Sequence, residues 1–154
     1  MSKSLRRVAH ALSDAGLNIT PVEMPGETRT AAQAAAEVGC EIDQIAKSIL
    51  FGRGDGCALF LTAGGNAVDG AKASDLAGAD LTRADAATVR SVTGFAIGGV
   101  APVGHISPSP IWMDPRLMDF DTIWAAAGTP RHVFPISPGD LQRLTDATIA
   151  DFTT

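Results

Sequence analysis

The chain is organised around the stretch AKSILFGRGDGCALFLT, which occupies residues 46–62. It contains two apolar, β-rich runs, Ala46–Phe51 and Cys57–Thr62, joined by the glycine-rich segment Gly52–Gly56. Two short runs of this kind around a glycine-rich turn are typical of a β-hairpin. We therefore predict that these residues form a pair of adjacent strands.

The segments before this hairpin carry recognisable start and stop signals. Apolar spacing predicts a helix over Leu5–Ala15, and Gly16 is suited to ending it. Residues Ile19–Met24 are expected to be extended and to lie at a sheet edge, because a proline within them cannot donate to a ladder. Thr30 is a good cap for an alanine-rich helix that runs to Val38.

The segments after the hairpin alternate between helical and extended patterns. We expect four helices: Val68–Leu76, Asp85 (as the cap) to Gly94, Asp121–Ala127, and Ser137 to about Ala147. We expect three strands: Ile111–Met113, His132–Ile136 and Ile149–Phe152. Strands thus occur both in pairs and singly among helices. This order favours an α/β (α+β) fold with a mixed sheet flanked by helices over a regular βαβ repeat.

The composition suits one compact domain spanning residues 1–154. A hydrophobic content of 45% and a charged content of 19% exclude a disordered chain. The longest apolar stretches are far shorter than the roughly 20 residues of a membrane span, and no signal-peptide core follows the basic N-terminus. We expect a cytoplasmic protein with no membrane partner.

Net charge and the spacing of ligand-type residues limit the possible partners. The formal charge is −5, whereas proteins that grip nucleic acid unaided are normally basic. Either the partner is not a nucleic acid or the contact is local, and DNA is not expected. Cys40, Cys57, His10, His105 and His132 show no metal-ligand spacing. We predict neither a metal nor a cofactor.

Lys47 is an unusual residue within an apolar strand. Side chains two residues apart share a face of a strand, so Lys47 lies on the side of Ile49 and Phe51. Because burying an unpaired ammonium group is costly, the side chain must reach a partner or a cleft, or extend past the strand to water. The spacing alone leaves these alternatives open.

The loop Gly98-Gly99-Val100-Ala101-Pro102 has the pattern G-x-x-x-P. Glycine lets the main chain approach a ligand closely, and successive N–H groups in such a turn can form a concave donor site. Directed at a carbonyl oxygen, these donors would stabilise the charge that develops during acyl transfer. An ordinary surface turn can have the same composition, so the pattern leaves this alternative open as well.

Two other chemistries are not supported by their motifs. The segment Gly65–Lys72 is one residue out of step with a phosphate-binding loop. Ser48 lacks both the G-x-S-x-G surroundings and an assignable base of a serine hydrolase. Trp112 and Trp124 lie in apolar segments and are expected to be core residues.

Three segments together resemble the YbaK and prolyl-tRNA synthetase-associated editing domains. They are Ile45–Phe51, Thr93–Gly104, and Ala127–Pro130 leading into Pro138–Leu141. Their order and separation fit that family from about Leu5 to Asp151. The resemblance implies one α/β domain with a mixed, barrel-like sheet surrounded by helices. It also implies hydrolysis of mischarged aminoacyl-tRNA, typically proline tRNA that carries Ala, Cys or another small residue.

The resemblance also implies roles for particular residues. Lys47 corresponds to the active-site lysine, Gly98–Pro102 to the carbonyl-binding loop, and Gly128 and Thr129 to the loop that shapes the amino-acid pocket. Alanine-specific members have Asn after the lysine and a histidine in the pocket loop, and cysteine-specific members have Thr after the lysine. This chain has Ser48 after the lysine and Gly128 near the place of the histidine. The amino acid that is removed is therefore left open.

The implied reaction requires little of the protein's own side chains. An aminoacyl ester is already activated, so its hydrolysis needs positioning and charge stabilisation more than a strong base. We expect the N–H groups of Gly99–Ala101 to hold the scissile carbonyl, with Ser48, Gly98 and Pro102 contributing to substrate binding. Lys47 would bind the phosphate or ribose of the terminal adenosine, and a water oriented by the substrate's vicinal hydroxyl would attack.

The acidic charge suggests that the protein does not recognise a whole tRNA by itself. A synthetase or an elongation complex would then supply the tRNA specificity. The alternative function is a non-catalytic domain of the same fold that binds aminoacyl-tRNA or a nucleotide-like ligand. Turnover distinguishes the two.

Overall fold

The computed structural model describes residues 2–26 and 30–154. The α helices in this part are α1 (Lys3–Asp14), α2 (Ala31–Val38), α3 (Gly70–Ala77), α4 (Ala86–Thr93) and α5 (Pro138–Thr145). The strands are β1 (Val22–Glu23), β2 (Ile45–Arg53), β3 (Gly56–Ala63), β4 (Thr82–Arg83), β5 (Ile111–Met113), β6 (Ile123–Ala126), β7 (His132–Ile136) and β8 (Thr148–Ile149). None of these helices has the length and apolar content that a membrane crossing requires.

The predicted hairpin is confirmed and forms the centre of the sheet. β2 pairs with β3 in antiparallel register, from Ala46 opposite Ala63 to Arg53 opposite Gly56. Gly54, in the connection, has a φ of 59°. This is the left-handed region that glycine adopts without steric cost, which explains a glycine at the tip of the turn.

The remaining strands extend the hairpin on both sides. The strand order is β1-β7-β6-β2-β3-β5-β8, and β4 pairs with β2. The pairs β2–β6, β3–β5 and β5–β8 are parallel, and the others are antiparallel. The sheet is therefore mixed, as predicted. It does not close into a barrel, because β1 and β8 stand at opposite ends of the order.

The predicted helix over Asp121–Ala127 is wrong, because these residues contain strand β6. Ile123 and Ala125 are buried, whereas Trp124 and Ala126 are less so. This alternation is that of a strand. β6 has a ladder partner on each side, β2 and β7, and this pairing overrides the helical propensity of alanine.

The other predicted elements are confirmed with shifted ends. The predicted cap residues Thr30, Asp85 and Ser137 each accept a hydrogen bond from the N–H three residues later, which fixes the starts of α2, α4 and α5. The ends of α3 and α5 differ from prediction by one or two residues. The two edge strands are shorter than predicted: β1 is limited to Val22–Glu23, and β8, at Thr148–Ile149, shares only Ile149 with the predicted strand.

The two faces of the hairpin pack into separate cores. On one face Ala46, Leu59 and Leu61 join the main core, which also takes in the buried residues of α1 and those of the loop from Phe95 to Val103. On the other face Phe60 lies in a second, smaller core. The side-chain alternation of β2 and β3 therefore determines which residues face the loop.

The second core is built around Phe60, which is fully buried. Its ring stacks on Trp112 with centroids 4.9 Å apart. It also makes edge contacts with Phe51 at 5.6 Å and Phe152 at 5.0 Å. Aromatic pairs in these arrangements are favourable beyond the apolar area that they bury. Trp112 is thus a core residue, as predicted.

Replacing Phe60 tests this packing. We expect Phe60→Ala to lower the free energy of unfolding by about 3–5 kcal/mol, because the cavity left among three rings cannot collapse fully. Ile106 is 61% exposed, so Ile106→Ala is a control that should change it by less than about 0.5 kcal/mol. Urea unfolding followed by tryptophan fluorescence measures both. Equal midpoints for the two variants would contradict the packing described here.

Candidate functional site

A gap in strand pairing beside β2 opens the middle of the sheet. One edge of β2 is paired with β3 along almost its whole length. In the described part of the chain, the other edge pairs with β6 at Ile45 and Ala46 and with β4 at Phe51 and Gly52. Residues 47–50 have no partner strand on that edge. A cavity of about 260 Å³ lies there, and β2 and β6 form two of its walls.

Ser48 turns its main chain toward this gap. The N–H of Leu59 donates to Pro110 at 3.0 Å and the carbonyl of Leu61 accepts from Asp114 at 2.9 Å, so both groups point away from β2. Successive residues of an antiparallel pair alternate in direction. Ser48, which lies opposite Leu61, therefore points its N–H and carbonyl away from β3. Its Oγ is buried and has no hydrogen-bond partner among the described residues.

Lys47 lines the same cavity and is half-buried. Its Nζ donates to the carbonyl of Asn66 at 2.6 Å, so the side chain reaches both a partner and a cavity. Asp43 lies within range of this charge. The Arg116 guanidinium, whose Nε is 3.0 Å from Asp43, holds the pKa of that carboxyl below its usual range, and Lys47 contributes to the same shift. The positive charge of Lys47 therefore lies near the ion pair of Asp43 and Arg116 and favours the ionised form of the Asp43 carboxyl.

The loop Gly98–Pro102 begins with a tight turn, in which the N–H of Gly99 donates to the carbonyl of Ala96 at 2.9 Å. The next two residues, Val100 and Ala101, are buried. Among the residues that the structure describes, their N–H groups have no acceptor. Since nearly all buried main-chain N–H groups are paired, two adjacent unpaired ones indicate a site for an acceptor that the protein itself does not supply.

The loop abuts the segment that follows β6. A Cβ placed on Gly99 would lie 3.2 Å from the carbonyl oxygen of Gly128 and 3.2 Å from Cα of Thr129. Gly128 has a φ of 95°, and a Cβ there would lie 2.9 Å from the carbonyl oxygen of Ser4. A side chain at Gly128 would clash and would be strained, and one at Gly99 would require the main chain of Gly128 and Thr129 to shift by a few tenths of an ångström. Both glycines are needed to bring the two loops together beside the cavity.

His105 holds the loop from behind. Its Nε2 lies 2.6 Å from the carbonyl oxygen of Ala101, and because a carbonyl only accepts, the ring must donate. The imidazole also makes an edge contact with the ring of Phe95 at a centroid distance of 5.6 Å. Ala101 of the loop and Phe95, which precedes the loop, are thereby tied to one half-buried side chain.

The predicted site residues differ in how close they lie to the cavity. Lys47, Ser48, Gly98 and Thr129 line the cavity directly. Gly99 and Gly128 lie in contact immediately behind this wall, and Val100 and Ala101 are part of the main core. Pro102 does not join them and lines a different cavity instead.

The cavity also contains residues that the sequence did not single out for it. Trp124 packs against a third, small core, as predicted, and it also lines the cavity, because β6 is a strand and not a helix. His132 lines it too, with Nδ1 2.6 Å from the hydroxyl of Thr129. Only the pairing of β6 with β7 could have placed these two residues together. Within residues 2–26 and 30–154, no cluster of His, Cys, Asp and Glu is arranged to hold a metal ion.

The burial of His105 makes the stability of the fold depend on pH. Burial lowers the pKa of its imidazole below the ordinary value of 6.5; the hydrogen bond to Ala101 opposes this shift and the charge of Arg7 adds to it. Below pH 6.5 the unfolded chain binds a proton that the folded state takes up only at lower pH. The stabilisation from neutral His105 is therefore present above that pH and is lost as the pH falls through the folded pKa.

We expect the free energy of unfolding to fall more steeply below pH 6.5 in the parent than in His105→Gln, which keeps a donor for Ala101. The control is His10→Gln, since His10 is exposed on α1, and it should retain the parental slope. Urea titrations over a pH series measure all three. The same pH dependence in the parent and in His105→Gln would show that this imidazole does not titrate differently on folding.

Comparison with known proteins places this geometry in context. A family model described as an aminoacyl-tRNA editing domain matches residues 25–144. A solved structure of a candidate trans-editing enzyme for prolyl-tRNA synthetase is 46% identical, with a TM-score of 0.94 over 100% of this chain and 99% of that one. The hypothetical protein APE2540 is 26% identical, with a TM-score of 0.86 over 96% and 99% of the two chains.

The chain is also similar in sequence to a protein whose function is not characterised. YwhH of Bacillus subtilis (strain 168), an uncharacterised protein, is 31% identical over 120 residues, which are 77% of this chain and 76% of that protein. The matched family region contains the described lining residues of the cavity except Met24, the loop of Gly98–Pro102 and the segment with Gly128 and Thr129. The chain therefore belongs to the aminoacyl-tRNA editing domain family.

Proposed function

We propose that this protein hydrolyses the ester bond of mischarged aminoacyl-tRNA, and that the substrate is proline tRNA carrying alanine, cysteine or another small amino acid. The observation that carries the proposal is the pair of adjacent, buried and unpaired N–H groups at Val100 and Ala101. Two donors held rigidly in a core are suited to the negative charge that develops on a carbonyl oxygen during acyl transfer.

The loop supports a defined division of roles. The N–H of Gly99 is used within the turn, so the donors to the scissile carbonyl are those of Val100 and Ala101. Gly99 and Gly98 contribute by bringing the main chain close, since a Cβ on Gly99 would press against Gly128 and Thr129. Pro102, the last residue of the pattern, limits the flexibility of the loop because its ring fixes the main-chain φ angle.

Lys47 and Ser48 bind the substrate from the opposite wall. The ammonium group of Lys47 exchanges the carbonyl of Asn66 for the phosphate or ribose of the terminal adenosine. A charge-assisted bond of this kind is stronger than a bond to a neutral carbonyl. Ser48 offers an unpaired hydroxyl and outward-facing main-chain groups to the aminoacyl part. Its polar atoms could contact either the α-amino group or a small polar side chain.

Hydrolysis then requires only a positioned water. The vicinal hydroxyl of the terminal ribose orients this water, which attacks the carbonyl carbon. The ester C–O bond then breaks and releases the free amino acid and the tRNA. The cavity, about 260 Å³, is small for a ligand site, since typical ones measure roughly 300–1,000 Å³. A small cavity excludes larger aminoacyl groups, which is how a second sieve preserves correctly charged tRNA.

A partner protein accounts for tRNA selection. With a net charge of −5, the chain lacks the overall basic field that supports unaided tRNA binding. The similar solved structure is described as a trans-editing enzyme candidate for prolyl-tRNA synthetase. We propose that a synthetase or an elongation complex presents the charged tRNA end to this cavity.

A deacylation panel tests the function. Purified protein is mixed with tRNA charged with Ala, Cys, Ser, 2-aminobutyrate or Pro, and we expect hydrolysis of at least one small aminoacyl group while Pro-tRNA is spared. Lys47→Ala should lower the single-turnover rate on the order of a hundredfold, as expected for loss of a charged hydrogen bond. Lys3→Ala, which changes an exposed lysine, is the matched control and should retain the parental rate.

The panel has two informative failures. Binding of aminoacyl-tRNA without turnover would support the alternative, a non-catalytic binding domain. Parental turnover by Lys47→Ala would remove Lys47 from the mechanism while leaving the function intact.

The loop is tested by a pair of substitutions that separate its main chain from its side chains. Gly99→Val should displace the donors and lower the single-turnover rate roughly a hundredfold, the cost of one well-placed oxyanion donor. Val100→Ala keeps the N–H and should lower the rate far less. Gly70→Val is the control for the glycine change, because a Cβ at Gly70 contacts nothing within 4 Å. Thermal melts identify any variant that unfolds.

If Gly99→Val deacylates at the parental rate, the loop is an ordinary turn and its N–H groups do not carry the reaction.

A further inference from the structure

A second cavity, of about 430 Å³, shares no lining residue with the first. Its wall is formed by the continuation of the loop over Pro102–His105, by the end of α1, by the segment before β5 and by α5. This volume lies within the roughly 300–1,000 Å³ of small-molecule sites. The editing reaction proposed above does not use this cavity.

The second cavity combines an apolar wall with buried polar atoms that lack partners. Ala11, Ile111 and Leu144 contribute hydrocarbon surface. His105 Nδ1 and Ser109 Oγ are buried and have no hydrogen-bond partner among the described residues. Only one other buried side-chain atom in that part of the chain shares this property, Ser48 Oγ of the first cavity. Buried polar atoms are normally satisfied, so both cavities present groups that a ligand could pair.

The hydrogen bond of His105 determines what its other nitrogen can do. Nε2 must carry the proton that is donated to the carbonyl of Ala101, 2.6 Å away. The neutral ring then has a lone pair on Nδ1 and can only accept there. Burial favours this neutral form by lowering the pKa of the ring. The ligand group that pairs with Nδ1 must therefore be a donor.

Asp14 adds a negative charge at the same cavity. It is the last residue of α1 and is exposed. It forms no ion pair with any described residue. A carboxylate at the C-terminal end of a helix is disfavoured by the helix dipole, so Asp14 does not stabilise α1 at this position. Asp14 is the one carboxylate among the described lining residues, which include no lysine or arginine. The charge of Arg7 acts on His105 from outside the lining, so a cation finds its counter-charge at the Asp14 side of the cavity.

We propose that the second cavity is a binding site for a small aliphatic amine. The ammonium group of the ligand donates to His105 Nδ1, Ser109 Oγ and the Asp14 carboxylate. Its hydrocarbon part packs against the wall that includes Ile111 and Leu144. A nucleotide or the tRNA terminus would bring its negative charge beside the Asp14 carboxylate, so the proposed ligand differs in class from the substrate of the first cavity.

Binding is measured by NMR, which makes the test independent of deacylation. Uniformly ¹⁵N-labelled protein is titrated at neutral pH with isobutylamine, and separately with isobutyrate, which has the same hydrocarbon branch and the opposite charge. We expect saturable shifts at the amides of Val103, Gly104 and His105 with the amine and none with the acid. The first cavity, followed at Lys47 and Ser48, should not respond.

Two substitutions assign the acceptors. Ser109→Ala and Asp14→Asn should each weaken amine binding, by about tenfold for a hydrogen bond to a charged group. Asp80→Asn removes a comparable exposed charge that does not line the cavity and should leave the affinity unchanged. The proposal is overturned if the amine gives no saturable shifts, if isobutyrate binds equally well, or if the shifts centre on Lys47 and Ser48.

Discussion

The structure depends on one constraint, which is that the main-chain polar groups of a central strand must find partners. β2 meets it along one edge through β3, but along the other edge, as far as the structure describes the chain, only its two ends are paired, with β6 and β4. Over residues 47–50 that edge faces a cavity instead of a strand. A break in pairing at the middle of a sheet is costly unless something else binds there. The break therefore marks where a ligand can reach the interior of this fold.

The loop that covers this break is held more firmly than a surface turn. Gly99 packs against Gly128 and Thr129 on one side, and His105 binds the carbonyl of Ala101 on the other. Between these two attachments lie the unpaired N–H groups of Val100 and Ala101. Donors fixed in this way need no reorganisation when charge develops on a substrate, which is the basis of electrostatic preorganisation. This arrangement requires glycine at two positions and leaves two main-chain N–H groups without an acceptor among the described residues. Both features are explained if the loop binds a ligand.

Much of the fold follows from local signals, and much of the site does not. The central hairpin, the helix caps at Thr30 and Asp85 and the open loop after Gly94 are set by neighbours in sequence, so the sequence alone predicts them. The prediction for β6 fails because its strand conformation comes from pairing with β7 and with β2, the latter nearly eighty residues earlier in the chain. With β6 misassigned, Trp124 could not be placed on the cavity wall.

Resemblance to an editing family suggests roles for Lys47, Ser48 and the loop, but it does not indicate how deeply each of them is buried. Spacing placed Lys47 on the face of Ile49 and Phe51 but could not show that its ammonium group reaches the carbonyl of Asn66. No local pattern distinguishes Gly99, whose N–H is consumed within the turn, from Val100, whose N–H is not. These distinctions arise from tertiary hydrogen bonds, and a motif of five residues carries no information about them.

The two cavities differ in charge in a way that follows from this arrangement. The first contains Lys47 and lies beside the unpaired amides, so it is suited to oxygen-rich, anionic ligands. The second contains Asp14 and the acceptor nitrogen of His105, and it is suited to donors. Ala101 belongs to both descriptions, since its N–H is free and its carbonyl is bound by His105. These two groups belong to different peptide units, and the unit that His105 polarises ends at Pro102, which has no N–H. Any group that pairs with His105 Nδ1 therefore acts on the loop through a single hydrogen bond.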